Sequence, residues 1–181
     1  MSTMRLDELL QGIATPEHGD IVVSGLTQDS RAVRAGDAFV ALQGARHHGV
    51  QFASAAVARG AAAVLAETPG PGTRVPGPAK EPGLGTRDPE LAKQPGPVVW
   101  IEGLRTHLGE IASRFFDDPS ASLTLIGVTG TNGKTSTVQL LAQAFTHLGK
   151  RAATIGTLGA GLSGALHEGE RTTPDVIRVH G

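Results

Sequence analysis

Leu123-Thr124-Leu125-Ile126-Gly127-Val128, running straight into Thr129-Gly130-Thr131-Asn132-Gly133-Lys134-Thr135-Ser136, is the stretch on which the fold turns. Its first six residues are an apolar run of β type, and the next eight are a glycine loop ending in Gly-Lys-Thr-Ser. Beyond the loop, Val138, Leu141, Phe145 and Leu148 recur at helical spacing, and Gly149 stands where a terminal glycine is favoured. Strand, glycine loop, lysine and helix in that order predict a phosphate site. Glycine lets the backbone approach an anion without a side-chain clash, and the helix N-terminus presents N–H groups and positive charge to it.

The candidate ATP-binding residues are therefore Gly130, Thr131, Asn132, Gly133, Lys134, Thr135 and Ser136. Lys134, the candidate catalytic residue, is placed to reach the β- and γ-phosphates, and the Thr135 hydroxyl is the candidate Mg²⁺ ligand. The spacing is shorter than a standard Walker A loop, which needs glycine where Val128 stands. A plain glycine turn with a chance Gly-Lys-Thr is the alternative; the flanking β run and amphipathic helix argue against it.

Working outward, Met4 to Gln11 reads as a short helix with Leu6, Leu9 and Leu10 on one face. Ile21 to Val23 is a short strand, followed by the polar turn Thr27 to Arg31. Ala38 to Leu42 and Ala62 to Ala66 are apolar runs of strand length. Between them lies an Ala-rich helix, Gln51 to Arg59, that Gly60 can end. Strand, helix, strand predicts a parallel unit and an α/β domain. Val98 to Ile101 is a further strand, and Leu104, Leu108, Ile111 and Phe115 mark a helix that Asp117-Asp118-Pro119 stops. A domain boundary falls near Ser120, and a second strand of the next domain is expected near Ala152 to Ile155.

Eight of the eleven prolines fall between Pro69 and Pro97. So little apolar surface cannot offset ordering entropy, which predicts a flexible insertion in the first domain. Aromatic residues make up only 3% of the chain, so the core must be built from Ala, Val, Leu and Ile. A net charge of −1 gives none of the basic footprint of a nucleic-acid binder. No run reaches the roughly 18 apolar residues of a membrane span. The absence of cysteine excludes disulfides and thiolate metal sites, and a cytoplasmic location is expected. His107 and His147 lack ligand spacing, Asp37 reads as a turn-bonding residue and Trp100 as core.

Gly127 to Ser136 resembles the ATP loop of the Mur ligases. Ile155-Gly156-Thr157-Leu158-Gly159 and Thr172-Thr173-Pro174-Asp175 resemble the MurE branch of that family. Asp29-Ser30-Arg31 and Gly36-Asp37-Ala38-Phe39-Val40-Ala41-Leu42-Gln43-Gly44 resemble the front domain of MurE and its relative MurF. The resemblance implies a Rossmann-like α/β domain over residues 1–119 that binds a UDP-linked substrate, then the start of a P-loop α/β ATPase domain over residues 120–181.

It also implies a reaction. ATP, with Mg²⁺, activates the D-Glu carboxylate of UDP-N-acetylmuramoyl-L-alanyl-D-glutamate as an acyl phosphate. A diamino acid, most commonly meso-2,6-diaminopimelate in this branch, then attacks to form an amide. Both substrates are small molecules; neither nucleic acid nor membrane is an expected partner. Gln28 and Ser30 match the family's contacts to the UDP end, and Ala45, Arg46 and His47 match the loop that closes on that nucleotide. Thr172 and Thr173 match a threonine pair near the muramoyl-peptide end. A simple turn bond remains the alternative for Ser30, and a solvated loop for Arg46 and His47. Arg171 stands where relatives often have Asn, so no role transfers to it. Family members continue into the rest of the ATPase domain and a third domain, so this chain is expected to be inactive alone. A MurF-like ligase using D-Ala-D-Ala and a non-catalytic nucleotide or UDP-sugar module are the competing readings.

Overall fold

The computed structural model of the chain describes residues 2–45, 47–70, 97–167 and 175–180. The chain divides into two compact units, Met1–Pro119 (with His180) and Ser120–Val179.

The first unit opens with β1 (Met4–Arg5) and α1 (Leu6–Leu9), then β2 (Val22–Val23), antiparallel to β1. The sequence predicts helix from Met4. Instead, Met4 and Arg5 pair with Val23 and Val22, and Leu6 N–H donates to Ile21 O. Pairing across the chain overrides local helix propensity here. The leucine face is as expected: Leu6, Leu9 and Leu10 are fully buried.

A four-stranded parallel sheet follows in the order β3 (Gly25–Thr27), β4 (Asp37–Ala41), β5 (Ala63–Glu67), β6 (Val98–Ile101). The connection from β4 to β5 carries a 3-10 turn, Gly49–Phe52, and α2 (Ala53–Ala58), as the predicted parallel unit requires. After β6 comes α3 (Leu104–Phe115), whose Leu104, Leu108, Ile111 and Phe115 are all buried.

Side chains alternate along a strand, so one sheet face carries Phe39, Ala41, Val64 and Ala66, packed with Val33, Ala53, Ala56, Val57 and Ala61. Trp100 is half-buried against this cluster. Ala38, Val40, Ala63 and Leu65 point the other way, toward the side that α3 covers. Both faces are apolar because a parallel sheet is covered on both. The small side chains permit close approach: a Cβ on Gly49 would lie 2.9 Å from Ala41 Cα. Asp37 does bond a turn, accepting Arg34 N–H at 2.8 Å.

The second unit holds α4 (Lys134–His147), an antiparallel meander β7 (Ala153–Gly156), β8 (Gly159–Leu162), β9 (Ala165–His167), and α5 (Val176–His180) at its end. The predicted strand over Leu123–Val128 is not one: among the described residues it joins no sheet. Leu123, Leu125 and Ile126 are 62%, 74% and 54% exposed. A strand exists only where a neighbour takes its N–H and C=O groups, and β7 instead pairs antiparallel with β8. The α4 stripe is only partly covered: Val138 and Leu141 are half-buried, while Phe145 and Leu148 are 36% and 75% exposed.

Candidate functional site

In the second unit the loop before α4 is formed by two glycines at positive φ, Gly130 at 145° and Gly133 at 76°. Gly133 is the residue at which the chain enters α4, and only glycine adopts this geometry at little cost. The first N–H groups of the 14-residue helix have no intrahelical acceptors, and the helix dipole adds partial positive charge there. Thr131, Asn132, Gly133, Lys134 and Ser136 are exposed. The Lys134 ammonium folds over the loop, donating to Gly130 O and, at 3.4 Å, to Thr131 O.

Thr135 Oγ1 lies 2.9 Å from Thr157 Oγ1. Gln139 Nε2 donates to Thr154 Oγ1 at 3.3 Å, tying α4 to β7. These features suit a triphosphate with Mg²⁺: N–H groups and an ammonium for the anion, hydroxyl oxygens for a hard cation that keeps most of its waters. Among the described residues no cluster of three His, Cys, Asp or Glu offers a metal cage. Thr157 was not singled out beside the loop by sequence reasoning, because only folding brings it next to Thr135. Among the described residues neither His107 nor His147 belongs to such a cluster; His107 lies 3.9 Å from Glu110.

In the first unit Gln28, Ser30, Ala45 and His47 lie beyond the carboxyl ends of β3 and β4, where open parallel sheets receive ligands. Gln28 and Ser30 follow β3 and are half-buried. The turn is shaped by Thr27 and Asp29: Asp29 Oδ1 accepts the Arg31 N–H at 2.9 Å. The Arg31 guanidinium grips both carboxylate oxygens, at 3.0 and 2.9 Å. Hydrogen bonding from Arg31 holds the Asp29 carboxyl below the usual carboxylate range. Ala45 and His47 follow β4 and are exposed. Arg46, Thr172 and Thr173 lie outside the described residues.

Four residues that sequence reasoning did not single out surround the β4 turn. Gln43 N–H donates to Glu67 Oε2 at 2.8 Å, and Arg105 Nη2 donates to Gln43 O at 2.6 Å. His48, 1% exposed, places Nε2 2.7 Å from Glu67 O, while Val50 N–H donates to its Nδ1 at 3.0 Å. A cleft of about 470 Å³ beside them is lined by Gln43, Glu67, Thr68, Glu102, Gly103 and Arg105, among others. No local pattern marks these residues: Arg105 and Gln43 are 62 positions apart.

A glycine-lysine loop ahead of a helix and a parallel sheet with open carboxyl-end loops are each arrangements suited to binding nucleotides, and the comparisons with known proteins point to one family. The family model described as Mur ligase family, catalytic domain, matches residues 22–116, and that for the Mur ligase middle domain matches residues 128–181. The chain belongs to the Mur ligase family.

Within it, the chain is 48% identical over 179 residues to the UDP-N-acetylmuramoyl-L-alanyl-D-glutamate–2,6-diaminopimelate ligase of Xylella fastidiosa, which covers 98% of this chain. It is also 48% identical over 177 residues to the ligase of the same name from Xanthomonas campestris. A solved structure of a ligase of that name aligns over 99% of the chain with a TM-score of 0.70 and 27% identity. The chain spans 32% of the length of each of these three.

Proposed function

We propose that this chain supplies the UDP-substrate unit and the phosphate loop of an ATP-dependent ligase of peptidoglycan precursor synthesis. The protein would join 2,6-diaminopimelate to UDP-N-acetylmuramoyl-L-alanyl-D-glutamate through an acyl phosphate, in the cytoplasm. The observation that carries this is the 48% identity over 98% of the chain to ligases of that name.

In this proposal the α4 N-terminus and the 130–136 loop bind the triphosphate, with Mg²⁺ neutralising its charge when bound. Lys134 leaves the Gly130 and Thr131 carbonyls for the phosphate oxygens and stabilises the charge that shifts during transfer. The Thr135 hydroxyl, hydrogen-bonded to Thr157, would be the group that holds Mg²⁺. Gln28, Ser30, Ala45, Arg46 and His47 hold the uridine diphosphate end, and Thr172 with Thr173 the muramoyl-peptide end. Phosphoryl transfer depends above all on positioning and charge neutralisation, which is what these groups provide.

The test is a chimera of this chain with the remaining two-thirds of the Xylella relative, assayed for ADP release with three nucleophiles. Turnover with diaminopimelate, and not with lysine or D-Ala-D-Ala, is expected. A folded chimera inert with all three, but still binding UDP, would favour a non-catalytic nucleotide-binding module.

A further inference from the structure

We infer that His48, Glu67 and Arg105 form a clamp that positions the Gly44–His47 turn for its nucleotide ligand. This rests on the proposed reading of the first unit as a UDP-substrate site. The turn is closed by Gly44 N–H donating to His47 O at 2.9 Å, and by a bridge between Gln43 and His48. Neither contact fixes where the turn sits over the sheet. That is done by Glu67, the last residue of β5, which holds both ends of the turn at once. Its carboxylate accepts the Gln43 N–H before the turn, and its main-chain carbonyl accepts the His48 ring N–H after it. Arg105, at the start of α3, adds a third hold by donating to Gln43 O, with its guanidinium 3.7 Å from Glu67 Oε2.

The chemistry of His48 is dictated by its partners. A backbone N–H can only donate, so Nδ1, which faces Val50 N–H at 3.0 Å, carries no proton. A carbonyl can only accept, so Nε2 carries the proton and donates it to Glu67 O. His48 is thus a neutral imidazole of fixed tautomer, buried and tilted against Trp100 at a centroid distance of 5.9 Å. The two nitrogens do different work: Nδ1 caps the local 3-10 turn, and Nε2 reaches across to the neighbouring strand. Glutamine can imitate the second bond and asparagine the first. His48, Glu67 and Arg105 are positioning residues, because they act through the turn and not on the ligand.

The experiment is calorimetry of uridine 5′-diphosphate binding to the chain and to its H48Q, H48N and R105A variants, with thermal midpoints measured alongside. H48N keeps the cap on Val50 and loses the link to Glu67, so its affinity should fall about tenfold, the worth of one buried hydrogen bond. H48Q restores the link and should bind within about threefold of the parent. R105A removes an exposed side chain, so it should weaken binding severalfold with an unchanged midpoint. A merely structural role would lower the midpoint in H48N and H48Q alike and leave R105A at parental affinity. Equal affinities across all four proteins would overturn the clamp and leave the UDP reading standing. Failure of the parent chain to bind the diphosphate would overturn that reading, and the clamp's purpose with it.

Discussion

The two units use the same amino-acid alphabet and reach opposite states of burial. In the first, the four parallel strands are covered on both faces, and Leu6, Leu9, Leu10, Leu65 and Ile111 are completely inaccessible to solvent. In the second, ten of the twelve large hydrophobic side chains exposed among the described residues are found, from Leu123 to Val179. The contrast separates what a glycine loop needs from what a core needs. Loop geometry is local: two positive-φ glycines and the first turn of α4 suffice to form it. Burial is not local, and an apolar run such as Leu123–Val128 has the composition of a central strand, which depends on parallel neighbours for both its hydrogen bonds and its cover.

Removing the lysine should have the largest effect, and only on the second unit. In the chimera described above, Lys134→Ala should lower amide-forming turnover by about 10²–10³-fold, as loss of a charge-stabilising group does. Binding of UDP to the first unit should be unchanged. Comparable weakening of UDP binding would show that the units do not act independently.

The next largest effect concerns the cores. Leu65→Ala should destabilise the first unit by about 3 kcal/mol in chemical unfolding, from lost transfer energy plus the cavity left behind. Leu125→Ala, at a position 74% exposed, should change stability by less than about 0.5 kcal/mol. If the two substitutions cost the same, the second unit carries a core that its exposure denies.

A smaller effect tests how the first unit is tied at its edge. Arg114 Nη1 donates to Leu9 O at 2.8 Å, Gln11 O at 3.0 Å and Glu8 O at 3.4 Å, gathering carbonyls of the last residues of α1 and of the turn that follows it. Its Nη2 pairs with Glu110 at 2.8 Å. Arg114→Ala should cost about 1–2 kcal/mol, since water can replace part of what is lost. Arg114→Lys should recover only part of it, because an ammonium cannot reproduce the planar fork.

How far the sequence could be read follows from the range of each interaction. The strands β4, β5 and β6 and the apolar face of α3 were legible because their hydrophobic periodicity is contained within each segment. Gly130, Gly133 and Lys134 were legible for the same reason, since a handful of consecutive residues makes the loop. Met4–Arg5 was misread because its strand state is created by Val22 and Val23, far along the chain. Leu123–Val128 was misread because its pattern reports suitability for a strand and says nothing of a partner. The clamp on the β4 turn escaped altogether: Glu67 and Arg105 have no local signature, and His48 gains its meaning from a carbonyl 19 residues away.

The smallest effect returns to the β3 turn, where a predicted contact residue sits inside a surface ion pair. The Asp29 carboxyl is held below its ordinary value of 3.8, chiefly by hydrogen bonding from the Arg31 side chain and then from the Arg31 backbone N–H. A carboxylate with a depressed folded-state pKa contributes stability that is present above the unfolded value and lost as pH falls through the folded one. The turn should therefore hold its shape near neutrality and loosen only below pH 3.8. With the Arg31 and Asp29 side chains 79% and 46% exposed, solvent and salt screen most of the interaction, so global stability should barely respond. The measurable quantity is local: the Asp29 carboxyl resonance should titrate below 3.8 in the parent and move back toward it in Arg31→Gln. An unshifted titration in the parent would mean that the pair does not persist in solution. Ser30 would then be presented by the Thr27 and backbone bonds alone, and this edge of the first unit would depend on the β4 turn for its order.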